Sequence, residues 1–284
     1  MIAAAPSLLS LTAGHWQRAD GLDIAAGAAL ALYAWAALRV RAWPLRRGAC
    51  FAAGVATLLV ATQSGLDSYD DRLLSVHMVQ HLLLLTLAPA LLLAGHPLTL
   101  ALRALPPRYR RGPARMLART RPFARPWVAL AVFWAVVLGT HLRGFYGATL
   151  AHPPLHDAEH LAYLLAGLVL FAPLLDADPG ARRRLDGLGR LVYVIAASPP
   201  MALVGAYLNR ATSVVYPSYA APAHVLGISA VLDERHAGAI MWVGGGLLMI
   251  AVGLWSALAA MVREEHRLAA REQRTLASAG RPRP

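Results

Sequence analysis

Seven apolar runs occupy roughly 22–43, 48–66, 73–95, 127–146, 156–175, 188–208 and 237–262 of this chain. Each approaches the ~20 residues that an α-helix needs to cross a hydrocarbon core of ~30 Å. Backbone groups in lipid find no water, so a spanning segment must satisfy them internally, and runs of this length fit helices rather than barrel strands. The fold class that follows is an all-α polytopic membrane protein, a seven-transmembrane-helix bundle. Residues 1–21 are a short extracytoplasmic segment, 22–262 the transmembrane domain, and 263–284 a charged cytoplasmic tail that starts helical. Composition agrees, since 15% of residues are charged against about 25% in a soluble domain. The opening MIAAAPSLLSLTAG has no positive n-region or convincing cleavage site, so no cleaved signal peptide is expected. Pro89, Pro173, Pro199 and Pro200 fall inside spans, where they predict kinks packed against neighbours. Gly244, Gly245 and Gly246 predict close helix approach or a loosened turn.

Charge orients the bundle. The net charge of +12 would suit a nucleic-acid partner, but every one of the 27 Lys/Arg residues is Arg, and they lie between spans. The expected environment is therefore the lipid bilayer, with no nucleic acid. Alternate loops hold Arg39, Arg41, Arg46 and Arg47, then eight arginines between Arg103 and Arg125, then Arg182, Arg183, Arg184 and Arg190. The tail adds six more from Arg263 to Arg283, which puts 22 of the 27 on one side. By the positive-inside rule that side is cytoplasmic, with the N-terminus outside and the C-terminus inside. The stretch 107–125 is either a basic interfacial segment or a solvated loop. The single cysteine, Cys50, excludes an intramolecular disulfide and any CxxC motif.

Histidine takes the opposite side. His15, His77, His81, His141, His152, His156, His160, His224 and His236 fall outside or at the outer ends of spans, leaving only His96 and His266 inside. His77 and His81 (HMVQH), and His156 and His160 (HDAEH), are spaced i and i+4, so each pair shares a helix face. His141 ends the fourth span and His236 opens the seventh, at the same depth. Imidazole ligates Cu, Zn, Fe and Ni, and ionisable groups within spans are costly and therefore functional by default. The bland account is that these residues only hydrogen-bond between helices. Met78 and Met241 lie near the outer ends of spans three and seven, and thioether suits Cu(I), although methionine also fills core gaps. Asp67, Asp70 and Asp71 make an outer loop that is either a solvated turn or a cation attractor. Without cysteine ligands a structural zinc site is disfavoured; copper held by His and Met suits an oxidising outer compartment. Bis-His haem stays open.

The run HMVQHLLLLTLAPALLLAGHP (His77–Pro97), the HDAEH segment, DERHAGAIMW (Asp233–Trp242) and the segment Tyr216–Tyr219 resemble the CtaG family of cytochrome c oxidase assembly factors. They appear in the expected order from about the second span to the seventh. The resemblance implies a protein of the bacterial cytoplasmic (inner) membrane that assists maturation of haem–copper oxidases, an assembly factor rather than an enzyme. It implies that copper, as Cu(I), is bound at an extracytoplasmic site and delivered to the dinuclear copper centre of oxidase subunit II or to another copper chaperone. Carried onto this sequence, the metal-handling residues are His77, His81, His156, His160 and His236, with Met78, Met241 and Asp233 as adjuncts. Family members often carry DQ where this chain has DERH, which sets His236 apart. A homo-oligomer is compatible with this reading. The expected geometry brings spans three, five and seven together so that the two HxxxH faces meet. A copper transporter or channel is the alternative from another class; it needs donors continuing inward, where only His96 and Cys50 stand. A haem-binding membrane protein is the other alternative.

Overall fold

The computed structural model describes residues 6–12, 14, 16, 21–120, 122, 125–176 and 185–279. His15, Arg18, Arg121, Arg182, Arg183, Arg184, Arg281 and Arg283 lie outside the described residues, and among those described there is no strand. Among the described residues six helices are long and apolar enough to span a membrane: α1 (Gly21–Arg39), α2 (Leu45–Tyr69), α3 (Leu74–Ala104), α6 (Pro153–Leu174), α7 (Gly187–Asn209) and α8 (Ala230–Gln273). Between α3 and α6 come α4 (Pro126–Thr140) and α5 (Arg143–Ala151), bent by 73° to each other, which make a seventh span if the pair is counted as one. The continuous fourth span expected over 127–146 is thus broken after Thr140. Local side chains explain the stop. Thr140 donates to the Val136 carbonyl at 2.9 Å and His141 Nδ1 bonds the Val137 carbonyl at 2.7 Å, drawing the last turn's acceptors away from the helix ladder.

The prolines act as the sequence suggests. A proline ring clashes with the carbonyl four residues back and offers no N–H, and α3 meets Pro89 with a widened π turn at Leu83–Leu87. The bared backbone there is covered by α6 at Gly167, where a Cβ would sit 2.5 Å from Pro89 Cγ. Ser198 separates the two helical halves of α7 immediately before Pro199 and Pro200. A second π turn, Ile240–Gly244, loosens α8 just ahead of Gly245 and Gly246. One turn outward, Gly205 of α7 crosses Gly238 of α8 so closely that a Cβ on Gly205 would lie 2.6 Å from the Gly238 carbonyl.

The main core threads α3, α4, α6, α7 and α8, with Leu85, Phe133, Leu170, Phe171, Tyr193 and Met201 among its buried members. Outward-facing Leu32, Ile195, Leu203, Leu247, Ile250 and Leu254 are exposed, a wide apolar surface that a bilayer rather than water would cover. At the arginine-bearing end, Arg190 is 2% exposed. Its guanidinium donates to the Leu174 carbonyl, to the Leu185 carbonyl at 3.0 Å and to Asp176 at 2.8 Å, while Arg263 of α8 reaches Asp176 at 3.1 Å. This staple ties the ends of α6, α7 and α8 together.

Candidate metal centre

The other end of the bundle is held by carboxylates of α8. Asp233 accepts from the Leu74 N–H at 2.6 Å and from the Ser75 N–H and hydroxyl, so it caps the start of α3 from 159 residues away in sequence. Glu234 accepts from the Val215 and Tyr216 N–H groups, fixing the loop that carries Tyr216 and Tyr219. Both acids are buried and spent on the backbone.

With α3 so placed, its first turns face α6. The His77 and His81 rings stand 4.0 Å apart between centroids and the His156 and His160 rings 4.1 Å apart. Across the interface His77 lies 5.4 Å from His156 and 6.4 Å from His160, and His81 lies 6.4 Å from His160. The two HxxxH faces meet. His141, at the break after α4, adds a fifth imidazole 5.9 Å from His81, and Tyr146, Tyr163 and Tyr219 wall the space. Two carboxylates enter: Asp70 groups with His156 and His160, and Glu159 with His77 and His81, each group having its donor atoms within 4.8 Å of one another.

Hydrogen bonds fix which ring nitrogens are bare. Tyr219 donates its one hydrogen to the Asp70 carbonyl at 2.8 Å, so at His77 Nδ1, 3.1 Å away, the phenol oxygen must accept. His77 therefore carries its proton on Nδ1 and turns a lone pair outward from Nε2. A carbonyl can only accept, so His141 Nδ1 is likewise protonated against Val137. Nε2 of His77, His141, His156 and His160, and both nitrogens of His81, have no hydrogen-bond partner although buried. His156 Nε2 comes within 3.4 Å of Asp70 without hydrogen-bonding geometry. Such concentrated dissatisfaction is rare in folded proteins and calls for an explanation. Just outside the spans, burial, reinforced by Asp67 and Asp71, pushes the Asp70 carboxyl up to about 8, so at neutral pH it holds its proton unless a cation is beside it.

The structure distributes the expected donors unevenly. His77, His81, His156 and His160 converge. His236 is exposed on α8 and joins neither group, Asp233 is the cap just described, and α8 therefore braces the site without facing it with a ring. Met78 and Met241 are buried among the residues of the main core. Asp70, Glu159, His141 and Tyr219 are the additions. Glu159 was visible within HDAEH and Asp70 within the acidic loop; nothing local in the sequence pairs Tyr219 with His77, 142 residues away.

The histidines of the chamber lie at the starts of α3 and α6 and at the end of α4, whereas Arg103, Arg190 and Arg263 belong to the opposite helix ends. Fold and site together define a multi-pass α-helical membrane protein with ionisable groups gathered between its spans, a placement that marks function more than packing. Residues 31–263 match the family model described as cytochrome c oxidase caa3 assembly factor (Caa3_CtaG), and the chain belongs to that family. Uncharacterized proteins of Mycobacterium bovis and Mycobacterium tuberculosis are each 30% identical to it over 272 residues, 90% of this chain and 41% of theirs. An uncharacterized protein of Mycobacterium leprae is 28% identical over 242 residues, 82% of this chain and 36% of its own. The chain thus spans well under half the length of the curated relatives it matches. No solved structure matches it.

Proposed function

We propose that this chain holds copper as cargo in the imidazole chamber, on the extracytoplasmic side of a bacterial inner membrane, and passes it to a cytochrome c oxidase during assembly. The observation that carries the reading is the convergence of the two HxxxH faces with bare, buried ring nitrogens. Imidazole with carboxylate is a donor set that copper accepts, and it lacks the thiolates that would hold Cu(I) too tightly to release. The recipient on this reading is the dinuclear copper centre of subunit II, whose thiolates would draw the metal away by ligand exchange. Imidazole can hold the cargo as Cu(I), and imidazole with carboxylate suits Cu(II) better. The positive-inside asymmetry supports the orientation, since it places the chamber opposite the arginine-rich end.

Copper measured by elemental analysis in the purified chain, beside His77→Ala/His81→Ala, tests the proposal. Copper bound by the parent and lost from a variant that melts normally is the expected result. Equal copper in both, or none in either, would end the reading. The haem alternative has less support, because rings 5.4–6.4 Å apart across the interface leave a macrocycle no opening between the facing pairs. The channel alternative lacks a second donor cluster: among the described residues the two carboxylate–imidazole groups both belong to this one chamber.

A further inference from the structure

The chamber holds more donors, and in more separate groups, than one ion requires. Its donors fall into two sets, each with one carboxylate and two imidazoles: Glu159 with His77 and His81, and Asp70 with His156 and His160. The sets interleave. Each HxxxH pair supplies one set's imidazoles, while Glu159 crosses from α6 to join the α3 pair and Asp70 reaches from the end of α2 to the α6 pair. Three donors suffice for a copper or zinc centre with a position left for exchange, and neither set needs a residue of the other. His77, His81 and His160 are 0%, 3% and 8% exposed, and each keeps a buried ring nitrogen without a hydrogen-bond partner.

We infer that the chamber binds two metal ions at once, an inner one at His77, His81 and Glu159 and an outer one at Asp70, His156 and His160. The inference rests on the copper reading above and adds its stoichiometry and order. The carboxylates support two sites rather than one: they fall one to each set, so that each ion would have an anionic ligand of its own. The sets also differ in access. The inner set is wholly buried, whereas the His156 side chain is 18% exposed, so the outer ion is the one that enters and leaves while the inner one is held. His141, whose bare Nε2 ring faces His81, offers the inner ion a further donor. A protein that loads a two-copper centre from a two-ion store could deliver a matched pair.

The test uses the full chain in detergent, loaded aerobically with copper(II) sulfate and passed over a desalting column. Two coppers per chain are expected in the parent, and one in each of Asp70→Asn/His156→Ala and Glu159→Gln/His81→Ala. Paramagnetic resonance on the parent guards against misfolded variants. An isolated Cu(II) spectrum at one equivalent should give way to a broadened, spin-coupled one at two. One copper in the parent, removed by either double substitution, or two with uncoupled spectra, would overturn the two-ion inference and leave the single-site reading intact. No copper in the parent would instead sink the copper reading itself.

Discussion

Tyr219 shows how a residue with no donor role can govern a site. Its hydroxyl donates to a carbonyl and its oxygen accepts a hydrogen bond from His77 Nδ1–H, so the phenol sets the tautomer that exposes His77 Nε2. Tyr219→Phe keeps the ring and removes that control; copper affinity should fall about 10-fold to 100-fold, as read by competition with a chromophoric chelator, while saturating stoichiometry stays unchanged. Asp233 is the opposite case, a residue with metal-ligand chemistry occupied in capping α3. Asp233→Ala should cost about 1–2 kcal/mol of stability, seen as a lower Tm, yet leave copper binding intact at low temperature. Loss of copper from folded Asp233→Ala would return Asp233 to the ligand set. His236→Ala, at an exposed position, should alter neither quantity.

At the scale of elements, the site depends on how closely α6 lies on α3. Gly167 sits against Pro89 and the widened turn before it, and a large side chain there must push the helices apart. Gly167→Leu should destabilise the bundle by about 1–3 kcal/mol and, by separating the two HxxxH faces, reduce copper retention well below that of a core substitution such as Leu170→Ala. The same elements show what a sequence discloses. The spans were legible because lipid enforces a simple length rule, and the histidine pairs because i, i+4 spacing is intrinsic to a helix. The break after Thr140 was not, because a hydroxyl and an imidazole turning back on the last carbonyls leave hydropathy unchanged. Nor was the division of labour in DERH. Asp233 looks like a donor, and Glu234 carries no sign of its role, until the backbone groups they cap, at Leu74 and Val215, are brought beside them by tertiary packing.

Across the whole molecule, one end is stapled and the other is left unsatisfied. Arg190 closes the arginine-bearing end, and Arg190→Met, which strands the Leu174 and Leu185 carbonyls and removes an ion pair to Asp176, should cost about 3 kcal/mol by thermal melting without changing copper per folded chain. Orientation is testable at the same scale. In a Cys50→Ala background, a membrane-impermeant maleimide should label Ser218→Cys but not Glu265→Cys in intact bacteria, and the reverse pattern would invert the proposed topology. The bare imidazoles carry a consequence for the protein's lifetime. Each buried nitrogen without a partner weakens the empty form by roughly 1–3 kcal/mol, so on the proposed copper reading occupancy and durability would rise together. A cell short of the metal would therefore hold a softer version of this chain, first to be cut by membrane proteases, and its abundance would serve as a gauge of supply.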